Sequence, residues 1–152
     1  EVDPAPRGRL LAAMPPFFVF ILLDTPAGMG APFAAAATVA DAALIVLTPD
    51  PVALRDGRIV ADRLLRGGRP QSAVRLVMNR ITRESFGKRA AVFDLDECID
   101  TVGAQLLAVI PESRELQRAG ALGTVPPPHD PAVTAGQAMA RRLCGQRVPL
   151  TL

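Results

Sequence analysis

Four short apolar runs constrain this chain most: Phe17–Leu23, Ala43–Leu47, Ala73–Met78 and Leu106–Ile110. They are rich in Val, Ile, Leu and Phe, and none shows strict polar/apolar alternation. Short continuous runs suit strands covered on both faces, as in a parallel sheet. Helical patterns lie between them. In Ala53–Arg66, apolar or small residues recur at Ala53, Gly57, Val60, Ala61, Leu64 and Leu65. Arg55, Asp56, Asp62, Arg63 and Arg66 fill the other face. That is the period of an amphipathic helix, and Gly67-Gly68 marks its end. Asp94–Val102 carries a stripe of Leu95, Cys98, Ile99 and Val102, opened by Asp94 with Glu97 and stopped by Gly103. Helices over Ser113–Ala119 and Pro131–Cys144 close the chain. Strand and helix alternate, which predicts an α/β fold: a doubly wound, mainly parallel sheet with flanking helices.

The chain has 152 residues, 49% of them hydrophobic and 21% charged, which is enough for one packed domain. A formal net charge of +2, with arginines scattered along the chain, gives no pull towards nucleic acid. Cys98 and Cys144 fit neither a metal spacing nor a disulfide framework, and His129 stands alone in a proline-rich loop. The runs Leu10–Leu23 and Ala31–Leu47 are broken by Pro15-Pro16 and by Asp41, so neither reads as a membrane span or a signal peptide. Residues 1–16 read as a loose, Pro-rich lead-in, with the folded portion over 17–152.

In an open parallel sheet, ligands bind at the carboxyl ends of the strands. The first run is followed by Asp24-Thr25-Pro26-Ala27-Gly28-Met29-Gly30. An acid at the tip of a hydrophobic strand is the arrangement that holds Mg²⁺, usually through water, beside nucleotide phosphates. The glycines let the backbone approach a phosphate. The second run leads into Thr48-Pro49-Asp50, the third into Asn79-Arg80, the fourth into Pro111-Glu112-Ser113. An Asn amide both donates and accepts, so it can read the edge of a purine. Taken singly, these last three segments also read as turns and helix caps.

Taken together, FVFILLDTPAGMG, ADAALIVLTPDPVALRD, LVMNR, LDECIDTVGAQLLAVIPES and AGQAMARRLCGQRVPL resemble, in order and spacing, the MinD branch of the MinD/ParA P-loop ATPases. The resemblance runs from about Phe17 to Leu150. It implies an ATP hydrolase that uses Mg²⁺, dimerises on ATP, attaches peripherally to the cytoplasmic membrane face and places the division septum. A division inhibitor and a topological-specificity protein are its partners. On this resemblance Asp24 is the Mg²⁺-side acid and Gly28 lies in the segment that senses the γ-phosphate. Asn79 and Arg80 lie beside adenine, and Pro111 and Glu112 form the second wall of the base pocket. Arg55 and Asp56 start a helix near the dimer and partner surface.

The chain also departs from the family. A K-G-G-x-G-K-T phosphate loop does not occur in these residues, and Lys88 is the only lysine. That loop neutralises the phosphates, so without it little ATP hydrolysis is expected. The phosphate-loop strand of the family would lie between the strands at Phe17–Leu23 and Ala43–Leu47. Val19 replaces a usual polar residue, Pro32 a small one, and the last helix reads about one turn short. The family's amphipathic membrane helix would follow Leu152. The chain begins with Glu1, and a phosphate loop encoded upstream is the expectation for a MinD-type ATPase present as its C-terminal portion. A non-catalytic partner-binding or degenerate half, or a ParA-type partitioning relative, are the alternatives.

Overall fold

The structure, a computed structural model, describes residues 18–150 apart from Ala27, Arg89 and Phe93. The lead-in over 1–16, and Phe17 of the first run, lie outside the described residues. The chain divides into two units between Ala43 and Leu44.

In the N-terminal unit, residues 18–26 form neither strand nor helix. This corrects the expectation of a strand over Phe17–Leu23. Val19 is 91% and Leu22 86% exposed, and Phe18 and Phe20 are also exposed. The physical reason is that apolar content makes a strand only where a neighbouring strand takes up its N–H and C=O groups. Helix α1 (Ala31–Val39) follows, with Pro32 in its first turn, where a missing N–H costs nothing.

The C-terminal unit contains, in order, β1 (Ala43–Leu47, beginning at the boundary), α2 (Pro51–Arg66), a 3₁₀ turn (Gln71–Ala73), β2 (Val74–Ile81), α3 (Leu95–Val102), β3 (Gln105–Pro111), α4 (Arg114–Leu122) and α5 (Pro131–Leu143). The strands form one sheet in the order β1-β2-β3, with β2 and β3 parallel. Each α-helix of this unit begins where a short polar side chain takes an orphan backbone N–H. Asp50 accepts from Ala53 N–H at 2.9 Å, and Asp94 accepts from Glu97 N–H at 2.9 Å. Ser113 accepts from Leu116 N–H at 3.0 Å, and Asp130 accepts from Ala132 and Val133 N–H at 2.8 and 3.3 Å. Gly103, at φ 71°, ends α3 in the left-handed conformation that disfavours residues with a Cβ. Gly57 lets α2 approach the sheet: a Cβ there would collide with Leu47 Cδ1.

The core explains why the runs are unbroken. Val77, Leu107 and Ala108 cluster with Leu44, Ile110 and Met139 of α5. Leu76 and Met78, both fully buried, have the opposite parity along β2 and cover its other face. The β2–β3 register is irregular twice. Leu76 pairs with Leu106 but Val77 pairs with Ala108, so Leu107 is an extra residue in β3. Further along, Met78 pairs with Val109 and Ile81 with Pro111, so the extra residue falls in β2, at Asn79–Arg80. A bulge re-aims side chains, and this second one stands at the carboxyl end of the sheet.

Candidate functional site

Asn79, Arg80, Pro111 and Glu112 line one cleft of about 260 Å³, together with Ser113, Leu116 and Gln117. The cause is the topology: β2 and β3 are parallel neighbours, so their carboxyl ends, Asn79-Arg80 and Pro111-Glu112, open on the same side. Arg80 has φ 58°, unusual for a residue with a side chain, which is the backbone signature of the bulge. Asn79 Oδ1 accepts from the Arg80 N–H at 3.0 Å. The Arg80 guanidinium then reaches across the cleft and donates to Glu112 Oε1 at 3.1 Å. Gln117 donates to the same oxygen at 3.3 Å, and the Glu112 N–H donates to Ile81 O at 2.9 Å. The hydrogen bond from Arg80, aided by that from Gln117, holds the Glu112 carboxyl below its ordinary range. The volume falls just under the usual range for small-molecule pockets and suits a flat ring better than a whole nucleotide.

Ser113, Leu116 and Gln117 form a wall of the cleft, although of these the sequence marks only Ser113, as a helix cap. The signal for the other two is that positions three and four residues on from a helix cap share its face.

Asp24 and Gly28 lie in the N-terminal unit. Asp24 lines a recess of about 340 Å³ with Leu22, Leu23, Thr25, Pro32, Ala35 and Ala36. Gly28 adopts φ 97°, a conformation strained for other residues, in open space. Arg55 and Asp56 are exposed on α2 and do not line the cleft. Among the described residues no three His, Cys, Asp or Glu side chains converge as a metal cluster. Asp24 is the one acidic side chain among the residues lining its recess. Among the described residues no helix is long and apolar enough to cross a membrane.

No protein-family profile matches the chain. The solved structures it resembles define the class: an α/β fold of the MinD/ParA type. Against the MinC:MinD cell division protein complex of Aquifex aeolicus the TM-score is 0.87 at 29% identity, covering 99% of this chain and 63% of that one. Against the septum site-determining protein MinD of Pyrococcus horikoshii OT3, complexed with Mg-ADP, it is 0.76 at 25% identity, covering 93% and 56%. Among curated proteins, the septum site-determining protein MinD of Bacillus subtilis is 33% identical over 136 residues, 88% of this chain and 50% of that protein. The chain belongs to the MinD/ParA family, on the MinD-type branch. It spans about half the length of the curated relatives it matches.

Proposed function

We propose that this chain carries the base-binding part of a MinD-type ATPase that acts in placing the division septum. The observation that supports it is the convergence of Asn79, Arg80, Pro111 and Glu112 on one cleft at the strand ends. In this reading adenine enters the cleft. The Asn79 amide offers a donor and an acceptor to its edge, Pro111 supplies an apolar wall, and the Arg80–Glu112 pair fixes the depth. Asp24 would hold Mg²⁺ through water, and the ion would supply charge neutralisation at the phosphates. Gly28 gives the following segment the freedom to respond to the γ-phosphate.

Hydrolysis by in-line attack of water, homodimerisation on ATP and peripheral attachment to the inner membrane face belong to the same reading. So do the Min-system partners, a division inhibitor and a topological-specificity protein, met on the face carrying Arg55 and Asp56. A MinD-type protein is solved in complex with MinC, and another with Mg-ADP, which supports this assignment.

The test is an NMR titration of the full chain with ADP and Mg²⁺, and in parallel with GDP. Expected are shifts centred on Asn79, Arg80, Glu112 and Gln117, larger for ADP, with the preference lost in Asn79→Ala. Equal responses to the two nucleotides, or shifts away from the cleft, would refute base recognition here. A folded chain that ignores both nucleotides would favour a non-catalytic partner-binding role.

A further inference from the structure

Asp130 is the buried charged side chain of the described residues, 6% exposed, and it lies outside the cleft lining. Its two oxygens serve different elements. Oδ1 accepts from the Ala132 and Val133 N–H groups and so caps α5. Oδ2 accepts from the Ser113 hydroxyl at 2.6 Å. Ser113 Oγ in turn accepts from the Leu116 N–H at 3.0 Å and so caps α4. Ser113 and Leu116 line the cleft. One carboxylate therefore joins the first turns of two helices, one of which is a cleft wall.

The chemistry requires this order of donors. A hydroxyl carries one proton, and the proton of Ser113, given to Asp130, leaves its lone pairs facing the Leu116 N–H. An ionised carboxylate accepts only, so it fixes which way the hydroxyl points. The Ser113 hydrogen bond also holds the Asp130 carboxyl below its ordinary range. The approach to Asp130 is itself held, because its N–H donates to the O of Pro127, the middle residue of Pro126-Pro127-Pro128, at 3.1 Å.

We infer that Asp130 is a positioning residue: through Ser113 it orients the first turn of α4 and thereby sets the wall of the cleft that faces Asn79 and Arg80. The consequence for a ligand rests on the nucleotide reading above; the geometry does not.

Amide hydrogen exchange on the full chain without ligand tests it. Asp130→Asn keeps the shape and an acceptor for α5 but removes the obligate acceptor for Ser113. Leu116 exchange should rise about tenfold, the scale of one lost cap, while Ala53, capped by Asp50, is unchanged. Unchanged Leu116 protection in a folded Asp130→Asn chain overturns the inference. Should that variant not fold, Ser113→Ala leaves the α5 cap intact. The ¹³C titration midpoint of Asp130 should then rise towards the ordinary carboxylate range, and an unmoved midpoint overturns the inference equally. With ADP and Mg²⁺, Asp130→Asn should weaken the response at Gln117 about fivefold, the scale of one weakened cap. A wild-type chain that takes no ADP overturns the nucleotide reading alone, because Leu116 exchange and the Asp130 titration are measured without it.

Discussion

Replacing Leu76 with Ala tests whether β2 is covered on both faces. Leu76 has 0% exposure in the central strand of the described sheet. The substitution removes three carbons, worth about 0.8 kcal/mol each on transfer, or about 2.4 kcal/mol. A neighbourhood held between two layers relaxes only partly, and the residual cavity raises the expected loss to about 3–4 kcal/mol. Against the roughly 5–15 kcal/mol of a typical domain, that is a large fraction. The control is Val46→Ala in β1, where the side chain is 53% exposed and the loss should stay under about 1 kcal/mol. The chain has no Trp and no Tyr, so urea unfolding is best followed by far-UV circular dichroism. The midpoint should fall sharply for Leu76→Ala and little for Val46→Ala, with the slope unchanged. Equal losses in the two variants, or a loss below about 1 kcal/mol for Leu76→Ala, would refute two-sided burial.

The other predictions are briefer. Burial pushes the Cys98 thiol up to about 11, whereas Cys144 is exposed, so at pH 8 a maleimide should label Cys144 and spare Cys98, read by mass spectrometry. Glu112 has a lowered pKa in the folded chain, so its contribution to stability is present above the ordinary carboxylate value and is lost as pH falls through the lowered one. A ¹³C carboxyl titration should therefore show Glu112 ionised below the range of exposed glutamates, and Arg80→Ala should raise its midpoint. Gly103→Ala should cost about 1–2 kcal/mol in thermal unfolding, because a Cβ at φ 71° is strained and would also crowd Arg58. Arg142 donates to Leu107 O, the bulged residue of β3, to Val148 O and to Pro149 O, so Arg142→Ala should lower the ¹⁵N heteronuclear NOE of Val148 and Leu150.

The helices were legible because their punctuation is local. Asp50, Asp94, Ser113 and Asp130 are short acceptors that serve N–H groups two or three residues on, and Gly103 ends its helix by backbone freedom alone. Helix α1 gave no such signal, since APFAAAATV is apolar or small almost throughout and has no polar face to mark a period. Three of the four apolar runs became strands.

By itself the sequence determined the α/β class, strands at the runs Ala43–Leu47, Ala73–Met78 and Leu106–Ile110, the helix start at Asp94, and which residues follow each strand. These rest on interactions within a few residues, or on the simple demand that an unbroken apolar run be covered. Only the tertiary structure decided that residues 18–23 form no strand, because a strand exists through hydrogen bonds to another segment. It also decided that Asn79 and Arg80 meet Pro111 and Glu112 across one cleft, some thirty residues apart in sequence, because β2 and β3 are neighbours. And it decided that Asp130, besides capping its own helix, links two helices, since no local pattern tells which hydroxyl lies against its second oxygen.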